Sequence, residues 1–219
     1  MKKSFIIIGL GRFGSNVAKS LENMNCDVLA VDINEDTVSA IAKDVHHTVI
    51  ADATKLTVLH ELGAQSIDHA VVCIGNNLQA SILTVMNLKK LGVKKITVRA
   101  DEVGHKEIFN MLGATEVIIP EEASAISLAN QIISDSILDY YAVAKNYAMV
   151  QVVVGDNFES KTLIELDVRN RFDVNIVGFI KDGDFYLPRG TDVLKSKDIV
   201  VVVGTQAKVR KFDAFLNEN

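Results

Sequence analysis

The stretch FIIIGLGRFGSNVAKSL, residues 5–21, decides the fold of this chain. A short apolar run is followed by the pattern G-L-G-R-F-G and then by residues with helical spacing. Gly9, Gly11 and Gly14 permit a tight turn and a close approach of the backbone to a phosphate group. The N–H groups at the start of the following helix favour an anion there. The pattern is weak evidence when it stands alone, so its meaning depends on the residues that follow.

An acidic residue stands where such a motif requires one. The next apolar run ends at Asp32, 23 residues after Gly9. A carboxylate at this point accepts hydrogen bonds from ribose hydroxyls and disfavours a 2′-phosphate. The sequence therefore predicts an adenine-nucleotide site. The alternative is that the glycines serve only the packing of the helix on the strand.

Short β-branched runs alternate with helical segments through the first 120 residues. Runs that are apolar throughout indicate strands buried on both faces, and strand–helix alternation indicates a parallel sheet. We therefore predict an α/β fold with a doubly wound parallel Rossmann-like sheet. The predicted strands lie at 5–8, 28–32, 47–51, 69–74, 95–100 and 116–120, and the predicted helices near 13–24, 35–43, 55–62, 77–91 and 103–112.

The segment EEASAISLANQIISDSILDYY, residues 121–141, predicts a longer helix. Its apolar positions, from Ile126 to Leu138, form one broad stripe. So broad a face indicates a crossover helix that covers the sheet and also contacts another subunit. A purely internal cover helix fits the periodicity equally well. We assign residues 1–140 to a nucleotide-binding domain that includes this helix.

Residues 141–219 predict a small α+β lobe. The segments AMVQVVVG, VNIVGFIKDGDFYLP and DIVVVVG are predicted strands, and Asp182-Gly183-Asp184 favours a hairpin turn. A short helix is predicted within KTLIELDVRNRF, between the first two strands, and an amphipathic helix within TQAKVRKFDAFLN. The small size of this lobe suits a ligand-binding or interaction module.

Charge and hydropathy exclude several classes of partner. Residues 1–139 carry 12 Lys and Arg against 17 Asp and Glu, and residues 140–219 carry 11 against 11. Neither part is basic, so no nucleic-acid partner is expected. No run approaches the roughly 20 apolar residues that span a bilayer, so no direct membrane insertion is expected. Cys26 and Cys73 lack metal or disulfide spacing and are interpreted as structural thiols in a reducing cytosol.

Topology adds further candidates, because the ligands of such sheets lie beyond the carboxyl ends of the strands. Residues that follow the third and fourth predicted strands, and one residue at the end of the fifth, are placed to hold adenosine or phosphate. They are Asp52, Thr54, Gly75, Asn76 and Arg99. A plain turn or a helix cap is the competing interpretation, most directly for Asp52 and Thr54.

Arg12 lies inside the glycine loop. A positive charge at a helix start opposes the helix dipole, so an anion nearby is a reasonable inference. The forked guanidinium suits a terminal phosphate better than a nicotinamide ring. The alternative is an arginine that extends into solvent.

The sequence contains no recognisable catalytic motif. A dehydrogenase requires a proton-transfer group and a substrate pocket beyond the fingerprint. None of the histidines has a recognisable catalytic spacing, and no H-E-x-x-H or G-x-S-x-G motif is present. We therefore expect a non-enzyme for which the nucleotide is a signal. An NAD(H)-binding redox sensor and a small NAD-dependent oxidoreductase are the alternatives.

Several motifs in order carry a family resemblance. G-L-G-R-F-G, Asp32, ADAT at 51–54, CIGNN at 73–77 and VRA at 98–100 resemble the RCK domain (regulator of potassium conductance), also called TrkA-N. The small lobe resembles the TrkA-C domain. The resemblance covers essentially the whole chain and is strongest to the cytosolic regulatory subunits of Ktr potassium-uptake systems. ADAT departs from many relatives, in which this stretch begins with glycine.

The resemblance implies a homo-octameric ring, built from dimers, beneath a membrane potassium-translocating subunit of the KtrB type. The protein would be cytoplasmic, at the inner face of the membrane, and ATP, ADP or NAD(H) would change the shape of the ring. Arg12 matches an arginine that reaches a neighbour's terminal phosphate. Glu121 matches a position that helps bind a divalent cation, Mg²⁺ or Ca²⁺, between paired nucleotides; an ordinary acid in a first helical turn is the alternative. The positions that match nucleotide contacts are Gly9, Gly11, Gly14, Asp32, Asp52, Gly75 and Arg99.

The resemblance also implies a second ligand, because several relatives bind cyclic di-AMP at a dimer interface of the second lobe, where it is expected to inhibit transport. Arg169 would hold a phosphate and Asn175 would bond adenine. Ile164, Ile176 and Pro188 would pack on the base. A surface arginine and ordinary core isoleucines are the alternative.

Overall fold

A computed structural model describes residues 2–75 and 77–217. The chain divides into two compact units between Glu121 and Glu122. This division lies earlier in the chain than the sequence-based boundary at 140/141. The reason is that the segment between the two positions bonds within the second unit: Ser127 Oγ donates to the Tyr140 carbonyl at 3.0 Å.

The first unit is built on a six-stranded parallel sheet with the order β3-β2-β1-β4-β5-β6. The chain winds outward twice from β1, which confirms the predicted doubly wound sheet. The carboxyl ends of β1 and β4 are therefore neighbours. The strands are β1 (Ser4–Ile8), β2 (Asp27–Asp32), β3 (His47–Ile50), β4 (His69–Val72), β5 (Ile96–Arg99) and β6 (Glu116–Ile118).

The central strand is apolar throughout because helices cover both of its faces. Ile6, Ile7 and Ile8 are all buried, and they pack into two separate clusters, one on each side of the sheet. Asn34 and Asn77 cap the helices that follow β2 and β4 by accepting backbone N–H bonds. The helices are α1 (Arg12–Asn23), α2 (Glu35–Ile41), α3 (Leu56–Glu61), α4 (Leu78–Lys90) and α5 (His105–Met111).

The long helix predicted over 121–141 is wrong in its second half. Helix α6 (Pro120–Ile132) ends early, and residues Ile137–Ala144 form a strand, β7. Between them, Ser134 Oγ and Ser136 Oγ donate to the Asp213 carboxylate at 2.8 and 2.5 Å, so the serine hydroxyls fix a turn instead of continuing the helix.

The apolar stripe of α6 is exposed in the single chain. Ile126, Leu128 and Ile132 have exposed fractions of 48%, 57% and 73%. Contact with another subunit, one of the two interpretations of this segment, is compatible with this exposure.

The second unit is built on an antiparallel sheet with the order β11-β10-β13-β8-β7, beside a two-stranded β9–β12 pair. The predicted hairpin turn is confirmed, since Asp182 and Gly183 both have positive φ, of 53° and 88°. The remaining strands are β8 (Tyr147–Val153), β9 (Lys161–Thr162), β10 (Asn175–Lys181), β11 (Asp184–Tyr186), β12 (Val193–Leu194) and β13 (Ile199–Thr205).

The helix predicted within residues 161–172 is divided into two. Asp167 adopts the left-handed region, with φ 43° and ψ 45°, between α7 (Leu163–Leu166) and α8 (Val168–Phe172). A capping box between Thr162 and Glu165 starts α7. The C-terminal helix α9 (Gln206–Asn217) is amphipathic as predicted and packs Phe212 on Phe172. Among the described residues, no helix is long and apolar enough to cross a membrane.

Candidate functional site

The glycine loop between β1 and α1 is packed so tightly that two of its positions require glycine. Gly9 has φ +92°, and a Cβ there would lie 2.8 Å from the Cys73 carbonyl carbon. A Cβ on Gly14 would lie 1.9 Å from the Gly9 oxygen. Gly11 differs, since nothing lies within 4 Å of a Cβ built there. Gly9 and Gly14 therefore hold the loop against the sheet, while Gly11 borders open space.

The start of α1 offers unused donors. Gly11 is the N-cap residue, so no side chain caps the helix, and the first turn contains no acidic residue. The first N–H groups of a helix carry a partial positive charge and are orphan donors. Arg12 is exposed beside them. This helix end is therefore suited to bind an anion.

Asp32 is fixed at the end of β2 by two backbone donors. Its Oδ2 accepts from Leu10 N at 2.6 Å, and its Oδ1 accepts from Asn34 N at 2.9 Å. The first bond ties the carboxylate to the glycine loop. Each carboxylate oxygen is able to accept more than one hydrogen bond, so Asp32 is still able to accept hydrogen bonds from ribose hydroxyls.

Asp52 forms a turn with Thr54 rather than a cap on α3. Asp52 Oδ1 accepts from Thr54 Oγ1 at 2.6 Å and from Thr54 N at 3.1 Å, whereas the N-cap of α3 is Lys55. The Thr54 hydroxyl bond is the main cause that lowers the pKa of Asp52. The carboxylate is therefore charged at neutral pH. Of the two alternatives to ligand binding, the plain turn matches the geometry.

Arg99, at the end of β5, meets two carboxylates. Its Nη2 lies 2.7 Å from Glu121 Oε1 and 3.2 Å from Asp101 Oδ1. The hydrogen bond from Arg99 is the main cause that lowers the pKa of Glu121, and the positive charge of Arg12 lowers it further. Nη1 borders Gly75, where a Cβ would lie 3.0 Å away. Glu121 is thus both a first-turn acid of α6 and an ion-pair partner.

These elements surround a cleft of about 1050 Å³ at the carboxyl ends of the strands. The structure brings most of the predicted residues together there: Gly9, Gly11, Arg12, Asp32, Asp52, Thr54, Gly75, Arg99 and Glu121. Gly14 lies behind the loop instead, where it allows close packing. The predicted contact at Asn76 lies outside the described residues.

Sequence reasoning missed part of the cleft wall. Side chains of the turns and first helical residues also contribute, among them Phe13, Asn16, Ile33 and Thr37. Each follows the end of a predicted strand by no more than eight residues. The signal was therefore present in their position along the chain, whereas their residue types carry no nucleotide signature.

The second predicted site lies on the surface of the second unit. Ile164 is 67% exposed, and Arg169 and Asn175 are also exposed. Pro188 is half-buried, and Ile176 is partly buried against the hydrophobic core. Ile164 N donates to the Gly190 carbonyl at 3.0 Å, which brings α7 close to the segment that contains Pro188. The core alternative therefore fits Ile176 but not Ile164.

Two other side chains with reactive groups, Cys73 and His69, have surroundings that indicate a structural role. Burial raises the pKa of Cys73 to about 12, so this thiol stays protonated and unreactive at neutral pH. Burial lowers the pKa of His69, whose Nε2 lies 2.8 Å from Thr97 Oγ1. Within residues 2–75 and 77–217, no group of three His, Cys, Asp or Glu is placed to hold a metal ion.

Two family models match the chain in sequence. The TrkA-N domain matches residues 5–120, and the TrkA-C domain matches residues 147–217. The two matches correspond to the two compact units, with α6 and β7 between the matched ranges.

Full-length relatives carry potassium-transport names. Ktr system potassium uptake protein C of Bacillus subtilis strain 168 is 38% identical over 214 residues, which is 97% of each chain. Ktr system potassium uptake protein A of the same strain is 35% identical over 96% of each chain. Protein A of Vibrio alginolyticus is 33% identical over 94% of each.

Solved structures share the fold. The RCK domain of GsuK aligns with 99% of this chain at 18% identity, with a TM-score of 0.66. The GsuK channel bound to NAD aligns equally well, also at 18% identity and a TM-score of 0.66. This chain spans only 48% and 39% of those two chains.

Proposed function

The chain belongs to the family that joins a TrkA-N domain to a TrkA-C domain, and from this premise we propose that it is the regulatory subunit of a potassium-uptake transporter. The observation that carries the proposal is the match in length and order to Ktr potassium uptake proteins, over almost the whole of both chains. These relatives are transport proteins rather than enzymes, which confirms the expectation of a non-enzyme.

The proposed signal is an adenine nucleotide in the cleft of the first unit. Asp32 would accept ribose hydroxyls, and the N-terminus of α1 would hold a phosphate. Arg12 would reach the terminal phosphate of a nucleotide bound by a neighbouring subunit, which favours ATP or ADP over NAD(H). Different affinities for two shapes of the ring would then drive the switch.

The proposed cation would use Glu121 together with nucleotide phosphates. Carboxylate and phosphate oxygens are the ligands that Mg²⁺ and Ca²⁺ prefer. Glu121 is 63% exposed at the cleft and has oxygen donors, so its chemistry fits such an ion. It is the one residue that we assign to this role, and phosphates would supply the other ligands.

Cyclic di-AMP is the proposed second input, at the surface formed by Ile164, Arg169, Asn175, Ile176 and Pro188. The exposed Arg169 is free to pair with a phosphate, and the exposed Ile164 offers an apolar face for a base. Burying that face requires a partner surface, which a second copy of the unit would provide. An octameric ring of dimers, in the cytoplasm beneath a KtrB-type membrane subunit, completes the proposal.

Calorimetric titration of the purified protein with ATP, ADP, NADH and cyclic di-AMP, in separate runs, tests the two inputs. Saturable binding of ATP or ADP and of cyclic di-AMP is expected. Binding of NADH alone would instead favour the redox sensor or the oxidoreductase. Potassium uptake by cells that carry a KtrB-type subunit tests the transport role, and uptake that is unchanged by this protein would refute it.

A further inference from the structure

Arg99 is the fixed member of the ion-pair cluster in the cleft. Its side chain is 18% exposed, compared with 38% for Asp101 and 63% for Glu121. Its Nη1 is confined by Gly75, and its Nε is buried without a hydrogen-bond partner among the described residues. The guanidinium therefore stays at the end of β5, while the exposed Glu121 carboxylate is able to leave it for water.

Glu121 and a nucleotide phosphate require the same donors. Carboxylates and phosphates both bind a guanidinium through its forked N–H groups. In this structure Nη2 is already used, by Glu121 at 2.7 Å and by Asp101 at 3.2 Å. An entering phosphate must therefore compete with Glu121 for Arg99.

Because Glu121 lies in the first turn of α6, the competition for Arg99 also affects that turn. Glu121 is the second residue of α6, which runs from Pro120 to Ile132 and so continues past the limit of the first unit. The ion pair holds the first turn of α6 against the end of β5. Loss of the pair removes one of the contacts that hold that turn.

Resting on the proposed nucleotide site, we propose that Glu121 is an internal competitor for Arg99: it occupies the guanidinium in the empty cleft and is displaced when a nucleotide phosphate binds. Nucleotide binding is thereby coupled to release of the first turn of α6. Glu121 is a positioning residue in this scheme, since it acts through Arg99.

The test is calorimetric titration with ADP in EDTA, which removes any cation that Glu121 could ligate. Glu121→Gln removes the competitor, and ADP should bind roughly two- to fivefold more tightly, the range expected for losing one exposed ion pair. The same substitution in an Arg99→Gln background should change the affinity by less than about 1.5-fold, because the competition no longer exists. Arg99→Met, which also lacks the charge, is the alternative background if Arg99→Gln does not fold.

The outcomes separate the competition from other roles of Glu121. Weaker or unchanged ADP binding by Glu121→Gln would overturn the proposal, as would equal tightening in both backgrounds, which indicates general charge repulsion. Absence of ADP binding by the wild-type protein would refute the nucleotide site itself, and with it the competition. Normal wild-type binding without an effect of Glu121→Gln would refute the competition alone.

Hydrogen exchange of the amides at 121–125 gives an independent measurement. ADP should speed exchange of these amides in the wild-type protein, because the turn is released. In Glu121→Gln the amides should exchange faster before ADP is added and respond little to it. Unchanged exchange in the wild-type protein on saturation with ADP would also overturn the proposal.

Discussion

The cleft of the first unit is fixed by main-chain geometry, whereas the proposed ligand residues of the second unit are side chains on an open surface. Gly9 and Gly14 leave no space for a Cβ, and Asp32 is held by two backbone N–H groups. Ile164, in contrast, is 67% exposed. The difference teaches that the walls of the first site are formed within one chain, with Arg12 proposed to act on a neighbour's nucleotide, while the second site depends on a partner surface to bury its apolar members.

The largest expected effect tests whether main-chain packing holds the cleft. Gly14→Ala forces a Cβ to within 1.9 Å of the Gly9 oxygen. We expect a loss of about 2–4 kcal/mol in the free energy of unfolding, together with loss of nucleotide binding. Urea unfolding measures the first and calorimetry the second.

Gly11→Ala is the matched control, since its Cβ would contact nothing within 4 Å. Its free energy of unfolding should stay within about 1 kcal/mol of the wild-type value. If the two alanine variants unfold at the same urea concentration, tight packing of the loop does not hold the cleft.

Arg169→Ala tests the exposed surface. Losing a charge-assisted hydrogen bond to phosphate should weaken cyclic di-AMP binding roughly 10- to 100-fold, while ADP binding in the first unit stays unchanged. Lys208→Ala removes a positive charge from an exposed position of α9. It should leave the affinities for cyclic di-AMP and for ADP unchanged. If both variants lose the same cyclic di-AMP affinity, Arg169 acts only through its general positive charge. The proposed second site would then be refuted.

Arg12→Ala tests the cleft residue that is proposed to contact a terminal phosphate. If Arg12 reaches a terminal phosphate, ATP binding should weaken by roughly tenfold and ADP binding by much less. Parallel calorimetric titrations with the two nucleotides measure this difference. Equal losses for ATP and ADP would be incompatible with a contact to the terminal phosphate.

The smallest expected effect concerns Asp52 and depends on pH. Its folded-state pKa is lowered, so the carboxylate adds stability above its unfolded pKa of about 3.9. That contribution is lost as the pH falls through the lowered folded value. Urea unfolding between about pH 3 and pH 7 should show an advantage over Asp52→Asn of at most about 1 kcal/mol, which disappears in acid. If the difference in the free energy of unfolding does not vary with pH, the charge of Asp52 is not its cause.

The sequence was sufficient for the sheet of the first unit and for most of the cleft. Uniformly apolar runs such as Phe5–Ile8 identify strands buried on both faces, and a parallel sheet brings their carboxyl ends to one edge. Residues at the ends of those runs, such as Asp32 and Arg99, were therefore located without knowledge of any distance.

Local patterns failed where long-range contacts decide the structure. The stripe from Ile126 to Leu138 has helical spacing, but Asp213, far along the chain, binds Ser134 and Ser136 and ends the helix. The pairing of Arg99 with Glu121 was missed for the same reason, because it joins residues 22 positions apart. No periodicity records such contacts.

The strand order has a consequence for synthesis on the ribosome. All six strands of the first sheet are present once Ile118 has left the exit tunnel, so that unit is able to fold while the rest is translated. In the second sheet, β13 lies between β8 and β10 although it is made after both. The hairpin of β7 and β8 must therefore wait, with one edge unpaired, until Thr205 has left the exit tunnel.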